Sequence, residues 1–162
     1  MRNLRALLLL LITMPLFAQT PNFSGIWKMD PTQSDFGPQT PPASAEYVIR
    51  HIGSRISFNY TQDGVTTRVD IMPDNEERVT SSTEETNMWT RANFSNGVLV
   101  LESRERRKFG TQPATGTGWS SRWALSEDGK QLIIDRTLRS ANAEAHQKVV
   151  FVRQPINPGG RQ

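Results

Sequence analysis

From residue 46 onward the chain alternates apolar and polar positions in short runs separated by turn residues. Residues 47–52 form one such run, closed by Gly53-Ser54. Ile56, Phe58 and Tyr60 alternate with Ser57, Asn59 and Thr61, and Gln62-Asp63-Gly64 supplies a hairpin turn. Residues 65–71 alternate again, with Thr66, Arg68 and Asp70 on the polar face. Pro73-Asp74-Asn75 reads as a turn, residues 78–82 as a short strand and 87–94 as another. Ser95-Asn96-Gly97 turns into 98–104, residues 119–126 and 131–138 form a hairpin around 127–130, and 145–153 is the last strand. A period of two is the signature of strands, and no stretch beyond the leader shows an apolar stripe at helical spacing.

About ten strands joined by hairpins in chain order predict an all-β protein. The expected architecture is a single antiparallel up-and-down β-barrel of about 8–10 strands, because closure hides the two edges that an open sheet would expose. The alternative is a two-sheet sandwich. A barrel of this size has room for packed side chains or for one small ligand.

The opening stretch, residues 21–30, reads as the first strand. Phe23, Gly25, Trp27 and Met29 share one face; Ser24, Ile26 and Lys28 share the other. Gly25 allows a close backbone or side-chain approach, and Trp27 supplies a large flat surface beside it. That pair suits the closed end of a small barrel, or else an ordinary amphipathic strand with a core Trp. Phe23-x-Gly25-x-Trp27 resembles the opening signature of the calycins, the superfamily of lipocalins and intracellular fatty-acid and retinoid carriers. Residues 21–29 are similar to the start of the cellular retinoic-acid carriers. With Ser34-Asp35-Phe36-Gly37, the unit also resembles a family of uncharacterised, secreted, lipocalin-like bacterial proteins.

The resemblance implies a lipocalin-like barrel that binds a small apolar or amphipathic ligand without catalysing a reaction. It also implies closure of the barrel base by Gly25, Trp27 and Arg153, with Arg153 packed across the indole in a cation–π contact. The retinoid and fatty-acid carriers clamp a ligand carboxylate with an Arg-x-Tyr pair on the last strand. Val149 and Phe151 stand at those positions here, so that clamp is missing. The carriers also cover the barrel with two helices after the first strand. Pro31, Pro38, Pro41, Pro42 and Gly37 forbid a helix there, so residues 30–45 are expected to be an irregular loop. Phe36 either folds back over an opening or anchors that loop on the surface.

Trp27, Phe58, Tyr60, Trp123, Arg136 and Phe151 are the candidates for the barrel interior. Trp119, Ser121, Trp123 and Leu125 share a face, as do Leu132, Ile134, Arg136 and Leu138. An inward Arg136 can receive a ligand carboxylate through forked hydrogen bonds, pair with a core acid, or reach out at the mouth.

Residues 1–18 read as a secretory signal peptide: Arg2 and Arg5, an apolar run, and a small residue at Ala18. The expected organisation is a leader over 1–18, a barrel over 19–154 and a disordered tail over 155–162. The expected localisation is secreted or periplasmic, with no stable membrane anchor after cleavage. There is no cysteine, so neither a lipid anchor nor a disulfide supports the domain, and packing alone must hold it. Two of the 19 basic residues fall in the leader, which leaves the mature domain within one charge of neutral against 16 acids. That balance gives no case for nucleic acid. The cluster Arg104-Glu105-Arg106-Arg107-Lys108 is either a solvated loop edge or an anionic-partner patch.

Chemistry-bearing motifs are sparse. Only His51 and His146 are present, so no metal site, cofactor or catalytic residue is expected. The rival functions are a structural or protein-interaction barrel with a filled core, and an enzyme with its site at the barrel mouth.

Overall fold

The computed structural model describes residues 20–108 and 117–155. The expected leader (1–18), residues 109–116 of the loop after the basic cluster, and the expected tail apart from Pro155 lie outside the described residues.

Ten strands follow one another in chain order: β1 (Gly25–Met29), β2 (Ala45–Ile52), β3 (Arg55–Gln62), β4 (Val65–Ile71), β5 (Asp74–Ser82), β6 (Thr86–Ser95), β7 (Val98–Arg107), β8 (Gly118–Leu125), β9 (Gln131–Ser140) and β10 (Ala143–Gln154). They form one antiparallel sheet in the order β4-β3-β2-β1-β10-β9-β8-β7-β6-β5. The sheet curls into a nearly closed up-and-down barrel, not a sandwich. Closure is incomplete at one seam: among the described residues no hydrogen-bonded ladder joins β4 to β5. The two strands are separated only by Met72 and Pro73.

The turn chemistry explains two of the hairpins. Asp63 and Gly64 both adopt positive φ between β3 and β4, as do Asn96 and Gly97 between β6 and β7. Two-residue turns of type I′ require that geometry at both central positions. The expected turn at Pro73-Asp74-Asn75 is corrected: β5 already begins at Asp74. Asn75 has φ 68°, and the ladder to β6 shifts between Asp74 and Glu77. The turn residues therefore make an irregularity inside a strand rather than a connection.

The hairpin directions define two ends. One end carries the β2–β3, β4–β5, β6–β7 and β8–β9 turns, and it is packed solid. Phe23, Trp27, Ile56, Leu99, Leu132 and Ile134 are fully buried there or in the core above it. Arg153 lies over the Trp27 ring, with its guanidinium carbon 4.1 Å from the ring centroid. Its Nη1 donates to the Ser24 carbonyl at 2.7 Å and its Nε to the Gly129 carbonyl at 2.9 Å. Trp27 Nε1 donates to the Phe23 carbonyl at 2.9 Å. Gly25, at φ 150°, makes room for this stack: a Cβ there would stand 2.8 Å from Arg153 Nη1.

The other end is the mouth, covered in part by the β1–β2 connection. As the prolines predict, this segment forms no helix. It runs along the upper edge of β10, where β1 has already ended. Asp35 pairs with Lys148 through both backbone hydrogen bonds, and Ser34 Oγ accepts from the Val150 amide. Gln147 Nε2 donates to the Phe36 carbonyl and to Gln39 Oε1. Phe36 folds inward and packs against the core, half-buried.

Candidate functional site

The upper half of the barrel encloses a cavity of about 350 Å³. Strand alternation aims its lining inward: Tyr47 from β2, Phe58 and Tyr60 from β3, Val69 and Ile71 from β4, Trp119 and Trp123 from β8. The aromatic rings form one cluster centred on Tyr47. Its ring centroid lies 4.5 Å from Tyr60, 5.0 Å from Trp123, 5.1 Å from Phe151 and 5.5 Å from Phe58. Most of these contacts are edge-to-face, the arrangement that ring quadrupoles favour.

Arg136 on β9 is the cationic group of this wall. Its cross-strand neighbours are Ser121 on β8 and Gln147 on β10. It also borders a smaller cavity of about 90 Å³ beneath Phe36 and Gln39. Among the described residues no carboxylate stands within ion-pair distance of Arg136. Its polar neighbour is the Tyr47 hydroxyl. Burial pushes that phenol up to about 12, while the Arg136 charge and hydrogen-bonding contact pull the other way. Burial also raises the Tyr60 phenol, again opposed by Arg136. Glu105 from β7 is the other charged residue of the cavity lining.

Of the residues singled out from the sequence, Phe58, Tyr60, Trp123 and Arg136 meet at this cavity. Trp27 and Phe151 do not line it. Trp27 is sealed at the base, and Phe151 is packed in the core with only an edge on the small cavity under Phe36. Gly25, Trp27 and Arg153 come together at the closed end. Sequence reasoning left Tyr47 and Trp119 out of the site. Both sit on correctly recognised strands, but which strands face one another across the interior is set by strand order, not by alternation.

The remaining candidates are elsewhere. His51 stacks on Phe23 and Phe94 at the closed end. His146 lies on the outer face of β10, between Thr137 Oγ1 and Glu144. In the basic cluster, Arg106 covers the Trp89 ring at 5.1 Å and grips both oxygens of Glu77, so it is engaged on the outer wall. Val149 and Phe151 are core residues, so β10 presents no carboxylate clamp. No cluster of potential metal ligands occurs among the described residues.

No family model and no curated protein matches this sequence. Solved structures do match in fold. The REP1-NXSQ fatty acid transporter aligns with TM-score 0.57 and 10% identity, over 83% of this chain and 97% of its own. Zebrafish ileal bile acid-binding protein, solved with cholic acid, aligns with TM-score 0.57 and 10% identity over 82% and 98%. Caenorhabditis elegans lipid binding protein 8, without ligand, aligns with TM-score 0.56 and 16% identity over 82% and 95%. The chain thus shares the up-and-down barrel fold of these structures, at an identity that carries the fold alone.

Proposed function

We propose that the protein binds a small amphipathic organic anion inside the barrel, as a carrier and not as an enzyme. The apolar body of the ligand lies against Phe58, Trp119 and Trp123, and its acid group meets Arg136. The observation that carries this reading is a cavity of about 350 Å³ walled largely by aromatic rings, with an inward arginine that, among the described residues, has no carboxylate within ion-pair distance, although Glu105 also lines the cavity. Small-molecule sites typically occupy ~300–1,000 Å³ and combine apolar walls with a few placed polar groups. Desolvation of ligand hydrocarbon supplies the affinity, at about 25 cal/mol per Å² buried, and the guanidinium fixes orientation.

The solved structures of similar fold point the same way, since the names of two record a fatty acid and a bile acid as their ligands. The missing clamp on β10 means that the anion is met from β9 instead. An interaction barrel with a filled core fits less well, because the upper half is hollow. We further propose that the barrel acts outside the cytoplasm, on the strength of the leader pattern in residues 1–18.

The test is mass spectrometry of small molecules that co-purify with the protein from its native source, together with displacement of an apolar fluorescent probe by candidate acids. A stoichiometric acidic lipid supports the reading. Recovery of none, with no probe uptake, removes it.

A further inference from the structure

The cavity wall is not uniformly apolar. Thr80 on β5 and Thr90 on β6 line it with hydroxyls, and Ser103 on β7, outside this lining, continues the same row. Thr80 Oγ1 lies 2.7 Å from Thr90 Oγ1, which lies 2.7 Å from Ser103 Oγ. Thr90 and Ser103 are 5% and 3% exposed. Three hydroxyls bring three protons, and the two bonds within the row use two of them. Run from Ser103 towards Thr80, the last proton finds only the Met88 carbonyl at 3.5 Å, at the outer limit of a hydrogen bond. Run the other way, the spare proton is that of Ser103, which does not line this cavity, and Thr80 Oγ1 is left able to accept from a ligand. A fourth hydroxyl, Ser121 on β8, lines the same cavity and is 2% exposed. It accepts from Trp123 Nε1 at 2.8 Å, and among the described residues its own proton has no acceptor.

Valine or alanine would fill these inward positions without leaving buried donors short of partners. We infer that the hydroxyl row receives the oxygen-bearing face of a ring lipid: a rigid carboxylic acid with hydroxyl groups on one face and hydrocarbon on the other. The inference rests on reading the cavity as a ligand site, as above, and narrows the ligand within that reading. A plain acyl chain would set hydrocarbon against the spare donors. A hydroxylated ring face gives them acceptors while its other face meets the aromatic wall. A rigid ring system also loses less conformational freedom on binding than a flexible chain.

The test is displacement of 1-anilinonaphthalene-8-sulfonate by a matched pair, deoxycholate and its ring-unhydroxylated parent 5β-cholanic acid, with palmitate alongside, each below its micelle concentration. Deoxycholate is expected to bind roughly three- to tenfold more tightly than the parent, the range that one or two neutral hydrogen bonds supply. Thr90→Val and Thr80→Val should each bring that ratio towards one. Thr80 stands at the outer, half-buried end of the row, so Thr80→Val keeps the test open if Thr90→Val unfolds, as a thermal melt would show. A wild-type ratio of one, or a preference that survives both variants, overturns the inference. If palmitate and cholanic acid bind but no preference exists, the cavity reading stands and only the hydroxyl role falls. If none of the three acids displaces the probe, both fall.

Discussion

The guanidinium of Arg153 covers the indole of Trp27 at 4.1 Å, joining residues that lie near opposite ends of the described chain. The same group donates to the Ser24 and Gly129 carbonyls, so one side chain binds β1, the β8–β9 turn and β10 at the closed end. Three consequences of its loss add: a desolvated cation–π contact, two charge-assisted hydrogen bonds, and two carbonyls left without a donor.

Arg153→Ala is therefore expected to lower stability by about 2–4 kcal/mol. Urea denaturation followed by tryptophan fluorescence reads this as a fall in midpoint at unchanged slope. Arg153→Lys keeps the charge but not the fork, and should fall between. A variant as stable as the parent would mean that the base is sealed by Trp27 packing alone.

Gly25→Ala is expected to cost about 1–3 kcal/mol, despite adding a single methyl group. The new Cβ meets Arg153 Nη1 at 2.8 Å, on a backbone with φ 150°. The cost should shrink in an Arg153→Ala background, where the crowding is gone and only the backbone strain remains. Equal costs in both backgrounds, measured in a double-mutant cycle, would deny the contact.

Arg136→Met should weaken binding of an anionic probe at least tenfold while leaving a neutral apolar probe within about threefold. In the parent protein, affinity for an alkyl carboxylate should fall as the solution is acidified through about pH 4–5, where the ligand protonates and the guanidinium does not. Isothermal titration at pH 4 and pH 7 checks both points. An affinity for the carboxylate that ignores both pH and the substitution would place the acid group elsewhere.

Tyr47 makes stability sensitive to alkali. Its folded phenol titrates near 12, against 10 for a free phenol, because burial disfavours the phenolate. Between those values the unfolded chain loses a proton that the folded chain keeps. Stability is thus fully present below pH 10 and declines as pH rises through 12, by roughly 3 kcal/mol in all. Tyr47→Phe should flatten that slope. Unfolding in urea at pH 9, 10.5 and 11.5 gives the comparison.

Gly37→Ala targets the cover of the mouth. A Cβ at this residue, held at φ 57°, would stand 2.6 Å from the His146 carbonyl. The segment should lift from β10, so hydrogen exchange at the Asp35 and Lys148 amides is expected to quicken while β6–β8 amides do not change. Uniform acceleration would instead indicate a global loss of stability.

The alternation of residues 56–61 and 65–71 and the turn at Asp63-Gly64 were enough to place β3 and β4, because a two-residue turn fixes both hairpin arms at once. The stack of Arg153 on Trp27 was legible only through the resemblance of the opening strand to the calycins, since alternation alone does not say that the first strand pairs with the last. Asp74 and Asn75 misled because turn residues also serve bulges, and the difference lies in the partner strand. Trp27 and Phe151 were placed in the binding interior because alternation says which face is inward, not how high along the barrel a side chain sits. Tyr47 was passed over for the same reason: its contacts with Trp123 and Phe151 join strands far apart in sequence. The hydroxyls of Thr80, Thr90 and Ser103 look solvated in sequence, and only the register brings them into one buried row.

The strand order makes β1 the hinge pin of the cylinder. One wing, β2 to β4, hangs from it on one side; the other, β5 to β10, is fastened to it through four rungs between Ile26–Met29 and 151–154. Every other rung of the sheet is a neighbouring-strand contact, so each wing can zip locally, and the cylinder is completed only when the most distant partners meet. Loop-closure entropy must be met before those rungs return any energy, which makes this the slow step of assembly. A circular permutant that fuses the two ends of the barrel domain and opens between Met72 and Pro73, where no ladder joins β4 to β5, would make every rung a neighbouring-strand contact, and should reach the native state sooner without altering the cavity.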